Sequence, residues 1–316
     1  MTYKKRLVCL LVIISVLALT YAGSIIFSYD MGNARSVSLV WLEPGNAGRV
    51  NRIVINSEWE EYELSADNSQ WFVSHNDNRY PARLARIEDF LRTLTVRSPW
   101  PVRSAGASAH DRFGLGEDAY RITLYADNSI LLDLLIGDDD ITGFDAYVRR
   151  AGQNEVRSGS NNLKAFLRPP STWYNLRLIP ESEGRNVDSL NVQRLSVFSG
   201  ETAFGEYHFT RRNRGWDISG IVVENPDFIS IESYILDILN AEGINFNDSI
   251  SSLDPMFNHA RIVLEFGNGS VITIRLTEID EEGNRLAHVS GRTLIFTIPG
   301  WVAGRLFRNA AAFEAL

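Results

Sequence analysis

The feature that most constrains this fold is a repeated order of short strands and one helix along the chain. The first three strand-like segments are apolar or aromatic and are separated by polar turns, which is typical of antiparallel strands. Each recurs 142 to 145 residues later, so the sequence predicts two tandem copies of one folding unit. The three pairs are residues 52–55 and 194–197, 62–64 and 207–209, and 71–73 and 216–218.

A helix follows these strands in each copy. Apolar residues at steps of 3 and 4 place one apolar stripe on one helix face. The four positions of the stripe recur with a constant offset of 144, which predicts that one helix in each copy packs against a sheet. The pairs are Leu84 and Phe228, Ile87 and Ile231, Leu91 and Ile235, and Leu94 and Ile238.

The second half of each copy reads as a hairpin, a further strand and a closing helical run. Hairpin connections imply antiparallel pairing, because parallel strands need crossovers of about a dozen residues. The predicted fold class is therefore α+β, with a largely antiparallel sheet and one main packing helix in each copy. The hairpins span 121–136 and 261–276, the next strands 147–149 and 286–288, and the closing runs 163–167 and 302–306.

The 316 residues suffice for about two domains of ordinary size. A polar stretch near residues 180–189 has the composition of a linker. The predicted organisation is a basic start and membrane anchor at 1–29, a connector at 30–50, a first repeat at 51–179, the linker at 180–189 and a second repeat at 190–316.

Residues 7–27 form 21 consecutive positions without a charge, enough for a helix of about 31 Å that crosses a hydrocarbon core of about 30 Å. Lys4, Lys5 and Arg6 precede this segment, and basic residues favour the cytoplasmic side. The expected topology is a single-pass protein of the cell membrane with a cytoplasmic N-terminus and an extracytoplasmic (periplasmic) remainder. A cleaved signal peptide is the alternative, with a cleavage site near Ala22.

The charge balance argues against nucleic acid as a partner. The net charge is −8 overall, and it becomes −11 once the three N-terminal basic residues are set aside. Such a surface repels phosphate backbones. The single cysteine, Cys9, lies in the apolar segment, so neither an intrachain disulfide nor a cysteine-based zinc site is expected.

Motifs of common enzymes are missing from the sequence. It contains neither the Gly-Lys-Ser/Thr of phosphate-binding loops nor the Gly-x-Ser-x-Gly of serine hydrolases. The five histidines show no HExxH pattern and no i, i+4 pair, and His110-Asp111 is better explained as part of a polar loop. We therefore expect no enzyme, no catalytic or metal-binding residues and no cofactor. The histidines are His75, His110, His208, His259 and His288.

Three further clusters have structural explanations that we prefer. Residues 138–140 with Asp145 supply the oxygen ligands that calcium needs, but they lack the EF-hand order, so a solvated turn is favoured. Residues 211–214 form a basic turn that is typical of an exposed hairpin tip. Five tryptophans suit either a ligand groove or the core, and core packing is favoured for most of them. They are Trp41, Trp59, Trp100, Trp173 and Trp301.

Several short motifs stand out in the first copy, namely Trp71, the leucine-rich helix at 84–94, Phe113-Gly114-Leu115, Ile136-Gly137 and Tyr147-Val148. With these motifs the first copy resembles the domain-of-unknown-function 4340 family over roughly residues 50–175. The second copy has Phe257-Asn258-His259 where the first has Phe113-Gly114-Leu115, so its membership is inferred from the internal repeat. The resemblance implies a membrane-tethered extracytoplasmic protein associated with ABC transporters of the gliding-motility type.

These observations favour a non-catalytic accessory protein that is anchored through residues 7–27 and binds a partner or substrate next to an ABC-type transporter. Its permease and ATPase subunits are the expected partners. Duplicated domains suit binding, because linked sites raise the effective concentration of a ligand. The alternatives are a carbohydrate- or cell-envelope-binding module and, third, an envelope hydrolase.

Overall fold

The computed structural model of the protein describes residues 38–57, 60–68, 70–179, 191–199, 205–213, 215–250 and 255–315, together with Tyr21. The chain divides into two compact units between Asn175 and Leu176. The predicted linker at 180–189 and the predicted anchor at 7–27, apart from Tyr21, lie outside the described residues. Within the described part of the chain, no helix is both long and apolar enough to span a membrane.

The first unit is built on a nine-stranded sheet with one long helix. The strand order is β5-β4-β3-β2-β8-β9-β10-β11-β7, and every pairing is antiparallel. A separate two-stranded ribbon joins β1 and β6. The strands are β1 Ser38–Leu39, β2 Arg52–Asn56, β3 Glu61–Asp67, β4 Gln70–His75, β5 Asn78–Pro81, β6 Ser98–Pro99, β7 Val102–Ser104, β8 Tyr120–Ala126, β9 Ser129–Asp139, β10 Asp145–Arg150 and β11 Val156–Ser160. The helices are α1 Pro44–Ala47 and α2 Leu84–Thr95, with 3₁₀ turns at Ala107–Ala109, Asp111–Phe113, Asn161–Phe166 and Pro170–Trp173.

The second unit is built on an eight-stranded antiparallel sheet in the order β14-β13-β12-β16-β17-β18-β19-β15. The strands are β12 Val192–Ser199, β13 Glu206–Arg212, β14 Gly215–Ser219, β15 Asn245–Asn247, β16 Ala260–Phe266, β17 Val271–Leu276, β18 Asn284–Val289 and β19 Ile295–Pro299. The helices are α3 Phe228–Leu239 and α4 Gly300–Leu306, with 3₁₀ turns at Pro255–Asn258 and Ala310–Phe313.

The two sheets share one topology. Starting from β4 and from β14, eight strands follow each other in the same spatial and sequential order, and β5 is the extra strand of the first sheet. The predictions of an α+β class, of largely antiparallel sheets and of a hairpin in the second half of each copy are confirmed. The closing run is a 3₁₀ turn at Asn161–Phe166 in the first unit and the α-helix Gly300–Leu306 in the second.

The long helices occur where the apolar stripes predicted them, but one position of each stripe is wrong. Leu84 and Phe228 are 51% and 39% exposed, because each is the first residue of its helix and lies beyond the edge of the core. Phe90 in α2 and Tyr234 in α3 are fully buried instead. Aromatic residues between the predicted positions thus complete the buried face of both helices.

A buried tyrosine hydroxyl ties the sheet to the closing turn in each unit. Tyr62 on β3 donates to the backbone carbonyl of Arg168 at 2.8 Å, and it accepts from Trp173 Nε1 at 2.8 Å. Tyr207 on β13 holds the equivalent position and donates to the carbonyl of Arg308 at 3.1 Å. Its hydroxyl also lies 3.0 Å from that of Tyr234. The same contact, repeated 140 to 145 residues along the chain, fastens the end of each unit onto its sheet.

These tyrosines predict a loss of stability at alkaline pH. Burial raises the pKa of Tyr207 to about 12 and also raises the pKa values of Tyr62 and Tyr234. Since these pKa values are higher in the folded than in the unfolded chain, their contribution is complete below pH ~10. It decreases above that pH by up to about 1.4 kcal/mol per pH unit for each phenol. Urea unfolding between pH 8 and 11.5 should show this decrease, and a Tyr207→Phe variant should show a smaller slope. Equal slopes in the two proteins would contradict it.

Candidate functional site

Motif residues that are far apart in the sequence meet on one face of the first sheet. The ring of Phe113 lies 4.5 Å from that of Tyr147 on β10. Phe113, Leu115 and Val156 form a small buried cluster, against which Leu135 on β9 and Tyr147 pack. The opposite face of the same sheet carries Tyr62, whose partner Trp173 contacts Phe90 of α2. The cluster is therefore a second, smaller core on the face that α2 leaves uncovered.

The glycines of these motifs allow two backbone segments to touch. Gly114 has a φ of +65°, a conformation that favours glycine. A Cβ atom on Gly137 would lie 2.0 Å from the carbonyl oxygen of Phe113, and one on Gly114 would lie 2.6 Å from Asp138 Cγ. Only glycine fits at either position, so the pair fixes the loop at Phe113 against the end of β9.

An open cleft of about 350 Å³ lies beside this contact. Four carboxylates and one lysine are among the side chains that line it. Lys164 pairs with Asp139 at 2.7 Å, so the remaining carboxylates leave the cleft acidic and suited to cationic groups. Three of these residues come from the loop before β8 and the other two from later parts of the sequence, so no sequence motif groups all five. They are Asp111, Glu117, Asp118, Asp138 and Lys164.

The acidic turn after β9 uses its carboxylates separately. Asp140 accepts hydrogen bonds from Thr142 Oγ1 at 2.7 Å and from the backbone N–H of Thr142 at 3.1 Å. The hydrogen bond from Thr142 lowers the pKa of Asp140, and the carboxylate caps the turn as an anion. Asp138 lies against Gly114, and Asp139 binds Lys164. Within the described residues, no three His, Cys, Asp or Glu side chains are grouped closely enough to hold a metal ion.

Each histidine lies next to a different group. His110 Nε2 lies 3.1 Å from the carbonyl oxygen of Asn154, and His288 Nε2 lies 3.0 Å from that of Arg292. The other three lie next to glutamates. These pairs are His75 with Glu60, His208 with Glu206 and His259 with Glu278.

The basic turn at 211–214 is less open than the sequence suggested. Arg211 is half-buried, pairs with Glu232 at 2.9 Å and lies over the ring of Trp216 at 4.3 Å. Arg212 pairs with Asp217 at 2.6 Å. The described arginines of this turn are thus neutralised, and Arg214 lies outside the described residues.

Core packing of the tryptophans is confirmed for Trp41, Trp100 and Trp173, which are at most 5% exposed. Trp59 lies outside the described residues. Trp301 on α4 is 67% exposed and borders a cleft of about 240 Å³ together with Asp237 and Glu242.

The second unit has a cleft of about 310 Å³ beside the corresponding hairpin, lined in part by other register positions. Phe257 is buried like Phe113 and lies 6.1 Å from the ring of His288. Strand pairing makes Leu276 the counterpart of Ile136 in the first unit, so the next residue, Thr277, is the counterpart of Gly137. With a side chain at this position, the second unit does not reproduce the close backbone contact of the first.

A family model described as a domain of unknown function (DUF4340) matches residues 49–237. The match covers the first sheet and continues through β12, β13, β14 and most of α3, so it extends further than the motifs of the first copy. No curated protein and no solved structure gave a significant match. Since the match covers more than half of the chain, the protein belongs to the domain-of-unknown-function 4340 family.

Proposed function

We propose that this protein is a non-catalytic accessory protein that is held at the cell membrane by residues 7–27. In this proposal the two sheet units lie outside the cytoplasm and bind a partner or substrate next to an ABC-type transporter. The length of the uncharged segment and the basic residues before it support the anchor and its orientation.

The observation that carries the binding role is that each unit has a cleft beside the corresponding hairpin and that the two clefts are lined by different charges. Both units keep the same strand order and a cleft beside the hairpin of their second half. Asp111, Asp138 and Lys164 border the first cleft, whereas Arg261 and Arg275 border the second. Two copies of one scaffold with different surface charges can bind two different chemical groups.

Glycan or envelope binding is the second candidate, and Trp301 is the observation in its favour. An exposed indole next to carboxylates and Asn240 can stack on a sugar ring and hydrogen-bond its hydroxyls. The burial of Trp41, Trp100 and Trp173 weighs against a broad aromatic groove in the described residues.

The test is a pull-down of the full-length tagged protein from native membranes in mild detergent, followed by mass spectrometry. The cleft variant is Glu117→Arg/Asp118→Arg, which inverts two exposed charges of the first cleft. Its matched control is Glu281→Arg/Glu282→Arg, which makes the same charge change in an exposed turn of the second unit.

We expect permease and ATPase subunits with the wild type and the control, and their loss with the cleft variant. Equal recovery with all three proteins would remove the first cleft from the proposal. Recovery of glycan, or of no transporter subunit, would favour the envelope-binding candidate.

A further inference from the structure

Five side chains form one row across the uncovered face of the second sheet. Backbone pairing places Glu206 opposite Phe198, Phe198 opposite Arg261, Arg261 opposite Arg275, and Arg275 opposite His288. Residues directly opposite on antiparallel strands have Cβ atoms about 5 Å apart. Two guanidinium groups and an imidazole are therefore neighbours on consecutive strands.

The equivalent row of the first sheet is neutral at its centre. There, Arg121 is opposite Leu135, and Asp133 holds Arg121 through two hydrogen bonds of 2.9 and 2.6 Å. In the second unit Arg275 replaces the leucine and Thr273 replaces the aspartate. The second repeat has thus exchanged a carboxylate for a hydroxyl and a leucine for an arginine, and it has His288 where the first sheet has Arg149 opposite Leu135.

This arrangement is unfavourable without a ligand, because like charges directly opposite each other destabilise an antiparallel pair. Both side chains are exposed, and Arg261 lies over the ring of Phe198 at 3.9 Å. Among the described residues, no carboxylate forms an ion pair with either arginine. Some exposed arginines elsewhere on the sheets do have such partners, as in Arg52–Glu63 and Arg212–Asp217.

The cleft of about 310 Å³ includes both arginines and is large enough for a small ligand. Asn258 and His259 line it as polar groups, and Phe257 packs behind His288. The nearby acids lie at its margin next to histidines. Glu278 is 83% exposed, 3.6 Å from His259 Nδ1, and Glu206 is 3.3 Å from His208 Nε2.

We propose that Arg261 and Arg275 form a binding site for a phosphate monoester group. A planar guanidinium offers parallel N–H donors that match phosphate oxygens, and two of them neutralise the dianion. Asn258 lines the same cleft, and its side-chain amide offers a further donor. The proposal goes beyond the accessory role and does not depend on the location of the protein or on its transporter partner.

The test is isothermal titration of the full-length protein, in a nonionic detergent at 50 mM NaCl, with phenyl phosphate. Two variants remove the site. Arg275→Leu installs the residue that the first unit carries, and Thr273→Asp restores the carboxylate that neutralises Arg121 there. The matched control is Arg212→Leu, which removes the same charge from the same sheet outside the cleft.

We expect binding by the wild type, at least about tenfold weaker binding by both site variants, and a change within about twofold for the control. Because Arg275→Leu also removes a like-charge contact, its thermal midpoint should equal or exceed that of the wild type, which separates loss of the site from unfolding. Undiminished binding by Arg275→Leu, or equal losses in Arg275→Leu and Arg212→Leu, would overturn the proposal.

The same titration identifies the source of the phosphate group. Soluble dihexanoyl phosphatidic acid carries the group on a lipid, whereas phenyl phosphate carries it on a free small molecule. Tighter Arg275-dependent binding of the first assigns a lipid headgroup, and tighter binding of the second assigns a free phosphate ester. Failure of both to bind would refute the site and leave the accessory role standing.

Discussion

Replacement of Trp173 by alanine is expected to lower the free energy of unfolding of the first unit by about 3–5 kcal/mol. The side chain is fully buried, and its ring lies 5.9 Å from the rings of both Phe90 and Phe166. Its Nε1 donates to the hydroxyl of Tyr62, so truncation also removes a buried hydrogen bond. Denaturant unfolding followed by circular dichroism measures the change.

Trp301→Ala is the matched control, since it removes the same side chain from an exposed position of α4. Its effect should be within about 0.5 kcal/mol. A loss of less than about 1 kcal/mol on replacing Trp173 would mean that the closing turn contributes little to the core of the first unit.

Gly137→Ala is expected to destabilise the first unit by about 3 kcal/mol, although only one methyl group is added. The new Cβ would lie 2.0 Å from the carbonyl oxygen of Phe113 and 3.0 Å from Gly114 backbone atoms, so the loop must move away from β9. That movement separates Phe113 from Tyr147 and opens the first cleft. Unfolding midpoints, and amide exchange at residues 113–115, report the two consequences.

The control for this prediction is Gly304→Ala in α4, where no atom lies within 4 Å of the added Cβ. Alanine is favoured over glycine inside a helix, so this variant should be more stable by about 0.5–1 kcal/mol. Similar effects of the two substitutions would show that the contact between Gly137 and Phe113 is not tight.

Much of the fold follows from local sequence patterns. The stripes identified both long helices, and the hairpins predicted at 121–136 and 261–276 are both present. Strands with little apolar content were missed. The strand Val156–Ser160 has only one apolar residue. The three-residue strand Val102–Ser104 pairs with that strand at the edge of the sheet. The strand Ile295–Pro299 was also not predicted, although its sequence is apolar and Ile295, Phe296 and Ile298 are all buried.

The candidate sites were harder to predict, because they depend on register. Phe113, Gly137 and Tyr147 meet through strand pairing and a close backbone contact that no local pattern encodes. The proximity of Arg261 and Arg275 follows from the hairpin turn between them. That no described carboxylate pairs with either arginine follows only from the three-dimensional structure, because it depends on the positions of side chains that are distant in sequence. Spacing along the chain therefore indicated the scaffold and not its binding chemistry.

The second unit has Arg275 where the first unit has Leu135, and this difference also affects how the chain folds. Tandem units of the same strand order invite misfolding in which a hairpin of one copy takes the place of its counterpart. In the first unit, such a swap would put a second guanidinium opposite Arg149 and beside Phe113 and Leu115, where like charges repel and an unpaired charge is costly to bury. An arginine suited to a surface ligand thus also disfavours exchange of β17 into the neighbouring sheet while the protein is being synthesised.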